Sequence, residues 1–294
     1  MTQEATPIGF LDVPGLLESS QPQARVPWLG LGMVACVLLL IVASVSGREG
    51  PGGVALQAAA TVLSIIVFFS MPIFVRFSLR RVRGEQQAVA GIAELVHLRR
   101  WAEAAVMVQQ LLSSPTRTMQ ARIEAMIYLA SILARYHRFD DAIAVQSYLL
   151  DNEMVGGGAA YGLKLGRTMA MLREDHLFDA DRAINDLRRN GPADSAGFAL
   201  IEIFRDVKTG HPEDAVRIFE AKLPILRDQL GHRLGDAYAL AARAYDLLDR
   251  KTEAADAFRR ATLLEPLIEL CRRYPEVQKL LGRYDPTAAP AEMA

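Results

Sequence analysis

Apolar residues are distributed along this chain in two different ways. Between residues 26 and 75 they form two nearly unbroken runs. From about Glu85 onward they recur every three to four positions, the spacing that turns one stripe of a helix towards a core. The first run, VPWLGLGMVACVLLLIVASVSG at 26–47, carries no charge, and neither does the second, at 50–75. Each holds the ~20 apolar residues that cross a bilayer core as a helix. Trp28 suits an interface at the edge of the first run. The link between the runs, GREGPGG, is wide enough only for a turn. The pattern predicts a transmembrane helical hairpin over 28–75, with spans at about 28–46 and 54–75. A cleaved signal peptide fits the first run poorly, because the preceding segment is long and acidic rather than short and basic.

Arg76, Arg80, Arg81 and Arg83 follow the second run, whereas the hairpin link has only Arg48. Positive charge marks the cytoplasmic side, so both termini and everything beyond residue 76 are expected there. The four arginines form a basic linker over 76–84. They also suit anionic lipid heads, at about 1 kcal/mol each. Neither run contains a charged side chain, which argues against an ion path or proton relay. Residues 1–27, punctuated by Pro7, Pro14, Pro22 and Pro27, are expected to be a disordered arm; its GFLDVPGLL stretch is the only part with the look of a docking motif.

The amphipathic part predicts helix pairs at 85–98 and 101–113, 118–135 and 139–151, 159–173 and 177–189, 196–208 and 212–227, and 233–248 and 251–264. SSPT, GGG, NGPADS and GHP supply turn chemistry between them. PLIELCRR and PEVQKLLGRY then read as capping helices, closing a domain over 85–283, and 284–294 is expected to be a disordered tail.

One stretch, GDAYALAARAYDLLDRKTEAADAFRRATLLEP at 235–266, shows how such a pair closes. Small residues (Ala241, Ala242, Ala254, Ala261) sit where helices approach, with Tyr238, Tyr245 and Phe258 one turn away. Pro266 stops the second helix. The small residue near the start of each second helix recurs as Ala104, Ala142, Ala180, Ala215 and Ala254, at intervals of 38, 38, 35 and 39 residues. Each is preceded by an acidic residue in the first helical turn, which suits the positive end of the helix dipole. On these residues the chain resembles the tetratricopeptide repeat family, whose unit is a helix–turn–helix of about 34 residues. Tyr238, Ala241, Ala242, Tyr245, Ala254, Phe258, Ala261 and Pro266 fall in the eight motif columns. The family's usual Trp, Leu and Gly in the first three columns are replaced. The resemblance covers about 85–266 and implies an all-α solenoid of five pairs.

Net charge of −1 argues against nucleic acid as a partner, and Cys36 and Cys271 offer neither a disulfide framework nor a zinc spacing. No GxGxxG, phosphate loop, HExxH or CxxC occurs. His137, His176 and His211 fall at successive turns, where neighbouring repeats stand about 10 Å apart, too far to share a metal. No enzyme, cofactor or metal is therefore expected. In the resembling family the first helices line a concave face. Here one lining column reads Val89, Ile127, Leu165, Leu200, Ala239, and the next reads Ala93, Ser131, Met169, Phe204, Arg243. The family's carboxylate clamp is absent. Two readings stand side by side: a largely apolar groove that takes an amphipathic helix or apolar peptide, with Ile127, Leu165, Met169, Leu200, Phe204 and Arg243 as contacts, or the same side chains packed inside a closed array. The function this implies is a membrane-anchored adaptor recruiting protein partners. The alternative is a homo-oligomeric membrane component assembled through its hairpins. The Ala- and Arg-rich composition points to a bacterial inner membrane.

Overall fold

The structure, a computed structural model, describes residues 8–9, 11–22, 38, 62, 76, 80–192 and 194–284. All regular structure among them is helical. The two uncharged runs lie outside the described residues apart from Leu38 and Val62, and no helix among the described residues is long and apolar enough to cross a membrane. The chain divides into two compact units, 1–132 and 133–294.

The N-terminal unit contains α1 (Val13–Ser19), α2 (80–97), α3 (Trp101–Leu112) and most of α4 (Met119–Arg135). The expected linker at 76–84 is not irregular throughout: Arg76 is helical and α2 is already formed at Arg80. Arg80, Arg81, Gln86 and Gln87 are good helix formers that carry the chain through Gly84. Nor are residues 1–27 wholly a disordered arm. Pro14 stands in the first turn of α1, where its missing N–H costs nothing. Ile8, Leu11, Val13 and Leu16 are buried. The helix packs on α3 and is stitched down at its end. The Ser19 hydroxyl donates to the Leu112 carbonyl (2.8 Å), and that of Thr116 to the Ser20 carbonyl (3.1 Å). Buried Arg122 donates from Nε to the Ser20 hydroxyl (3.0 Å) and from its fork to the Leu17 carbonyl (2.8 Å). Arg122→Ala removes both donations and leaves the Leu17 carbonyl only the long bond from the Ser20 hydroxyl (3.4 Å). It is expected to lower the stability of this unit by about 2 kcal/mol, read as a lower urea midpoint.

The start of α4 is held by a distant carboxylate. Glu85 of α2 accepts from the backbone N–H of Arg117 (2.8 Å) and Thr118 (3.1 Å), satisfying donors that a helix start leaves open.

The C-terminal unit continues with α5 (Phe139–Asp151), α6 (Gly157–Arg173), α7 (Leu177–Asn190), α8 (Ala196–Thr209), α9 (Pro212–Gln229), α10 (Leu234–Leu247) and α11 (Lys251–Leu264). α7 packs on α6, α9 on α8 and α11 on α10, and α8 packs on both α6 and α10. Ala104, Ala142, Ala180, Ala215 and Ala254 are all fully buried, as close approach of two helices requires.

The turns repeat as well. One residue in each intra-pair turn has a left-handed backbone: Arg99 (φ 59°), His137 (61°), Asp175 (61°), Gly210 (79°) and Asp249 (57°). These positions follow the intervals of the alanines and stand five residues before each. The histidines are therefore not equivalent. His137 is the left-handed residue, whereas His176 and His211 are N-caps one position later.

One repeat position breaks the apolar rule. Asp206, in the column of Leu133 and Tyr245, is buried on α8. Its Oδ1 pairs with Arg205 (2.6 Å) and its Oδ2 has no hydrogen-bond partner. Burial pushes its carboxyl above the ordinary range, against the pull of Arg205. A raised carboxyl pKa means that the folded state holds the proton more tightly than the unfolded one. Asp206 therefore costs stability at neutral pH, and the cost fades as pH falls through its raised pKa towards the ordinary value of 3.8. Asp206→Asn is expected to stabilise the unit at pH 7.5 by about 1 kcal/mol and to change it little near pH 4, measured by urea unfolding at both.

After Pro266 come α12 (Leu267–Arg273), a 3-10 turn (Pro275–Leu280) and α13 (Leu281–Tyr284). Short helices form where the capping segment is expected. The segment packs on α10 and α11, and it also turns back along the first helices as far as the end of α4.

Candidate functional site

The first-helix stripe of the C-terminal unit is built from side chains one turn apart. Leu165 and Met169 lie on α6, Leu200 and Phe204 on α8, and Ala239 and Arg243 on α10. Met169, Leu200 and Phe204 share one core, with Leu165 packed against it. Leu200 and Phe204 are each 1% exposed, so neither is a free surface. Arg243 is held by the buried carboxylate of Asp246 (2.7 Å). Ile127 is half-buried on α4 and belongs to the N-terminal unit. Arg76, Arg80, Arg81 and Arg83 are exposed.

What covers the stripe is the chain's own C-terminal segment. The Tyr274 ring is fully buried and meets Phe204 edge-on at 5.1 Å between centroids. Behind it, the Arg173 guanidinium lies between two rings, 5.3 Å from the centroid of Tyr274 and 5.3 Å from that of Phe139. Burial pushes the Tyr274 phenol up, so it stays neutral. Its hydroxyl has the Arg233 guanidinium beside it but no hydrogen bond of acceptable geometry.

Acidic side chains flank this tyrosine and meet cations. Glu269 pairs with Arg135 (2.7 Å), and Glu276 approaches Lys208 (3.9 Å). Lys208 also pairs with Asp175 (2.8 Å) and stands 5.4 Å above the Phe204 ring. Burial pushes Glu269 up, but Arg135, with Arg272 and Arg273, holds it below the usual carboxylate range. Burial and the charges of Arg272, Arg173 and Arg135 push His137 below the ordinary histidine range.

Arg135, Arg173 and Lys208 are repeat equivalents, 38 and 35 residues apart, in the last turns of α4, α6 and α8. Each stands four residues past Ser131, Met169 and Phe204. The two lining columns read from the sequence stop one turn short of this third column. Adding another turn to each helix finds it. The partners Glu269, Tyr274 and Glu276 carry no repeat signal, because they lie beyond the last repeat.

Further along, two buried carboxylates fix the segment to α10. Asp236 accepts from Arg273 (2.7 Å) and Arg233 (3.3 Å), and Arg273 also reaches buried Glu265. Asp246 accepts from Arg243, from Arg283 (2.7 Å) and from the Tyr284 hydroxyl (3.1 Å). Cys271 is buried and its thiol is pushed up by burial, which disfavours the reactive thiolate. Among the described residues no cluster of His, Cys, Asp or Glu has the makings of a metal site. The cleft between α6 and α7 is lined by charges that pair locally, such as Lys164 with Asp186 (2.9 Å).

No family model, no curated protein and no solved structure matches this chain.

Proposed function

We propose that this chain is a membrane-anchored helical-repeat scaffold of the tetratricopeptide type, holding protein partners at a bacterial inner membrane. The two uncharged runs form the anchor as a hairpin, with the repeats and both termini in the cytoplasm. The observation that carries this reading is the seat of α1 on α3 and α4. Residues 8–22 precede the uncharged runs and residues 80–132 follow them, yet they belong to one unit, joined by the Arg122, Ser19 and Thr116 hydrogen bonds. Two segments packed together lie on one side of a bilayer, so the chain between them crosses an even number of times. That supports two crossings, in agreement with the basic collar at 76–83. The five left-handed turns at the intervals of the alanine column support the repeat architecture.

Single cysteines test the topology in a chain whose Cys36 and Cys271 are replaced by serine. In intact bacterial cells a membrane-impermeant maleimide is expected to label Glu49→Cys in the hairpin link and to spare Glu18→Cys and Lys279→Cys until the cells are opened. Labelling of residues 18 and 49 alike in intact cells, or release of the protein from membranes by alkaline carbonate, overturns the anchor.

A further inference from the structure

We propose that the first-helix face of the C-terminal unit is a receptor for an acidic, aromatic-centred segment of a partner protein, and that residues 267–284 occupy it as a resident stand-in. The inference rests on the recruiting role proposed above and names the chemistry of what is recruited.

Three observations lead to it. The first is charge complementarity in register with the repeats. Arg135, Arg173 and Lys208 recur at one repeat position and all face the segment, meeting Glu269, the Tyr274 ring and Glu276. Closing an apolar core does not by itself call for cations aimed at the segment in three successive repeats. A groove that reads an acidic strand does, because each cation gains a charge-assisted contact as the strand passes. The second observation is imperfect fit. The Tyr274 hydroxyl, Arg173 Nε and one Glu276 oxygen are buried at this seam without hydrogen-bond partners. Arg173 Nε lies on the receptor face and forgoes a bond that a better-matched segment can make, while the other two atoms weaken the resident's own hold. The third is the character of the occupant. It consists of a seven-residue helix, a six-residue 3-10 turn and a four-residue helix. Pieces this short have little stability of their own and stay in place only through their contacts. The segment also starts after Pro266, outside the repeat, so it can leave without breaking a helix pair.

The partner segment defined by this geometry is short. It places Tyr or Phe in the pocket formed by Phe204 and Arg173. It carries one carboxylate about five residues before that ring and another two residues after it, as the resident does.

The test uses the full chain in nanodiscs and a fluorescent peptide with the sequence of residues 267–284 as probe. Two variants loosen the resident: Glu269→Lys with Glu276→Lys, which leaves the buried side chains intact, and Tyr274→Ala, which vacates the ring pocket. The peptide is expected to bind the charge variant at least ten-fold more tightly than the wild-type chain, and Tyr274→Ala likewise if its helicity is retained. A peptide with both glutamates changed to lysine is expected to lose that gain. No gain on the charge variant with its helicity preserved overturns the receptor. A gain that survives lysine in the peptide overturns the acidic reading. A variant that becomes a dimer by light scattering, its segments exchanged between copies, shows that the face serves a second copy and overturns the foreign partner. None of these results touches the cysteine topology, so anchor and receptor fail separately.

Discussion

Tyr274→Ala is expected to destabilise the C-terminal unit by about 3–5 kcal/mol, the range for removing a large buried aromatic. The ring is fully buried, and it is the contact through which the C-terminal segment meets α8 and the Arg173 guanidinium at once. Removing it leaves a void that Phe204 cannot fill without leaving its own packing. It also strips Arg173 of one of its two rings. The side-chain hydroxyl has no hydrogen bond to lose, so Tyr274→Phe is expected to be neutral or slightly stabilising. Urea unfolding followed by far-ultraviolet circular dichroism separates the two variants. Equal losses for both would mean that the hydroxyl, not the ring, holds the segment.

Asp236→Ala is expected to cost about as much, 3–5 kcal/mol, for a different reason. Asp236 is 1% exposed and takes donors from Arg233 and Arg273. Its loss takes a carboxylate from two guanidinium groups, Arg273 at 15% exposed and Arg233 at 41%. Arg273 keeps Glu265, but Arg233 keeps only its place beside Tyr274. The double variant Asp236→Ala with Arg233→Met is expected to recover part of the loss, since it removes the guanidinium left without a carboxylate and keeps Arg273 on Glu265. A double variant less stable than the single one contradicts this account.

The helix pairs were legible because two signals agree at each. The alanine column marks where helices approach, and an acidic residue marks each second helix's first turn. α4 (Met119–Arg135) and α5 (Phe139–Asp151) fall within one residue of the sequence reading. The ends of the domain were not legible. Around α1 the buried residues Ile8, Leu11, Val13 and Leu16 are too few and too irregular to declare a helix. Its fixing bonds go largely to carbonyls, which look the same in every sequence. The occupied face was half legible. Its apolar columns could be read from periodicity, but whether Phe204 faces a partner or Tyr274 depends on a contact between residues 70 apart. Repeat spacing carries no information about a segment outside the repeat.

The seat of α1 also has a consequence for synthesis. Ser20 and Arg122 are 102 residues apart in the chain. At roughly 5–20 residues per second, the partner of Ser20 leaves the ribosome about 5–20 s after it. The hydrophobic runs emerge within that interval. On the topology proposed above, the dock comes too late to steer these runs into a bilayer, and it acts afterwards as a latch that keeps the arm on its side.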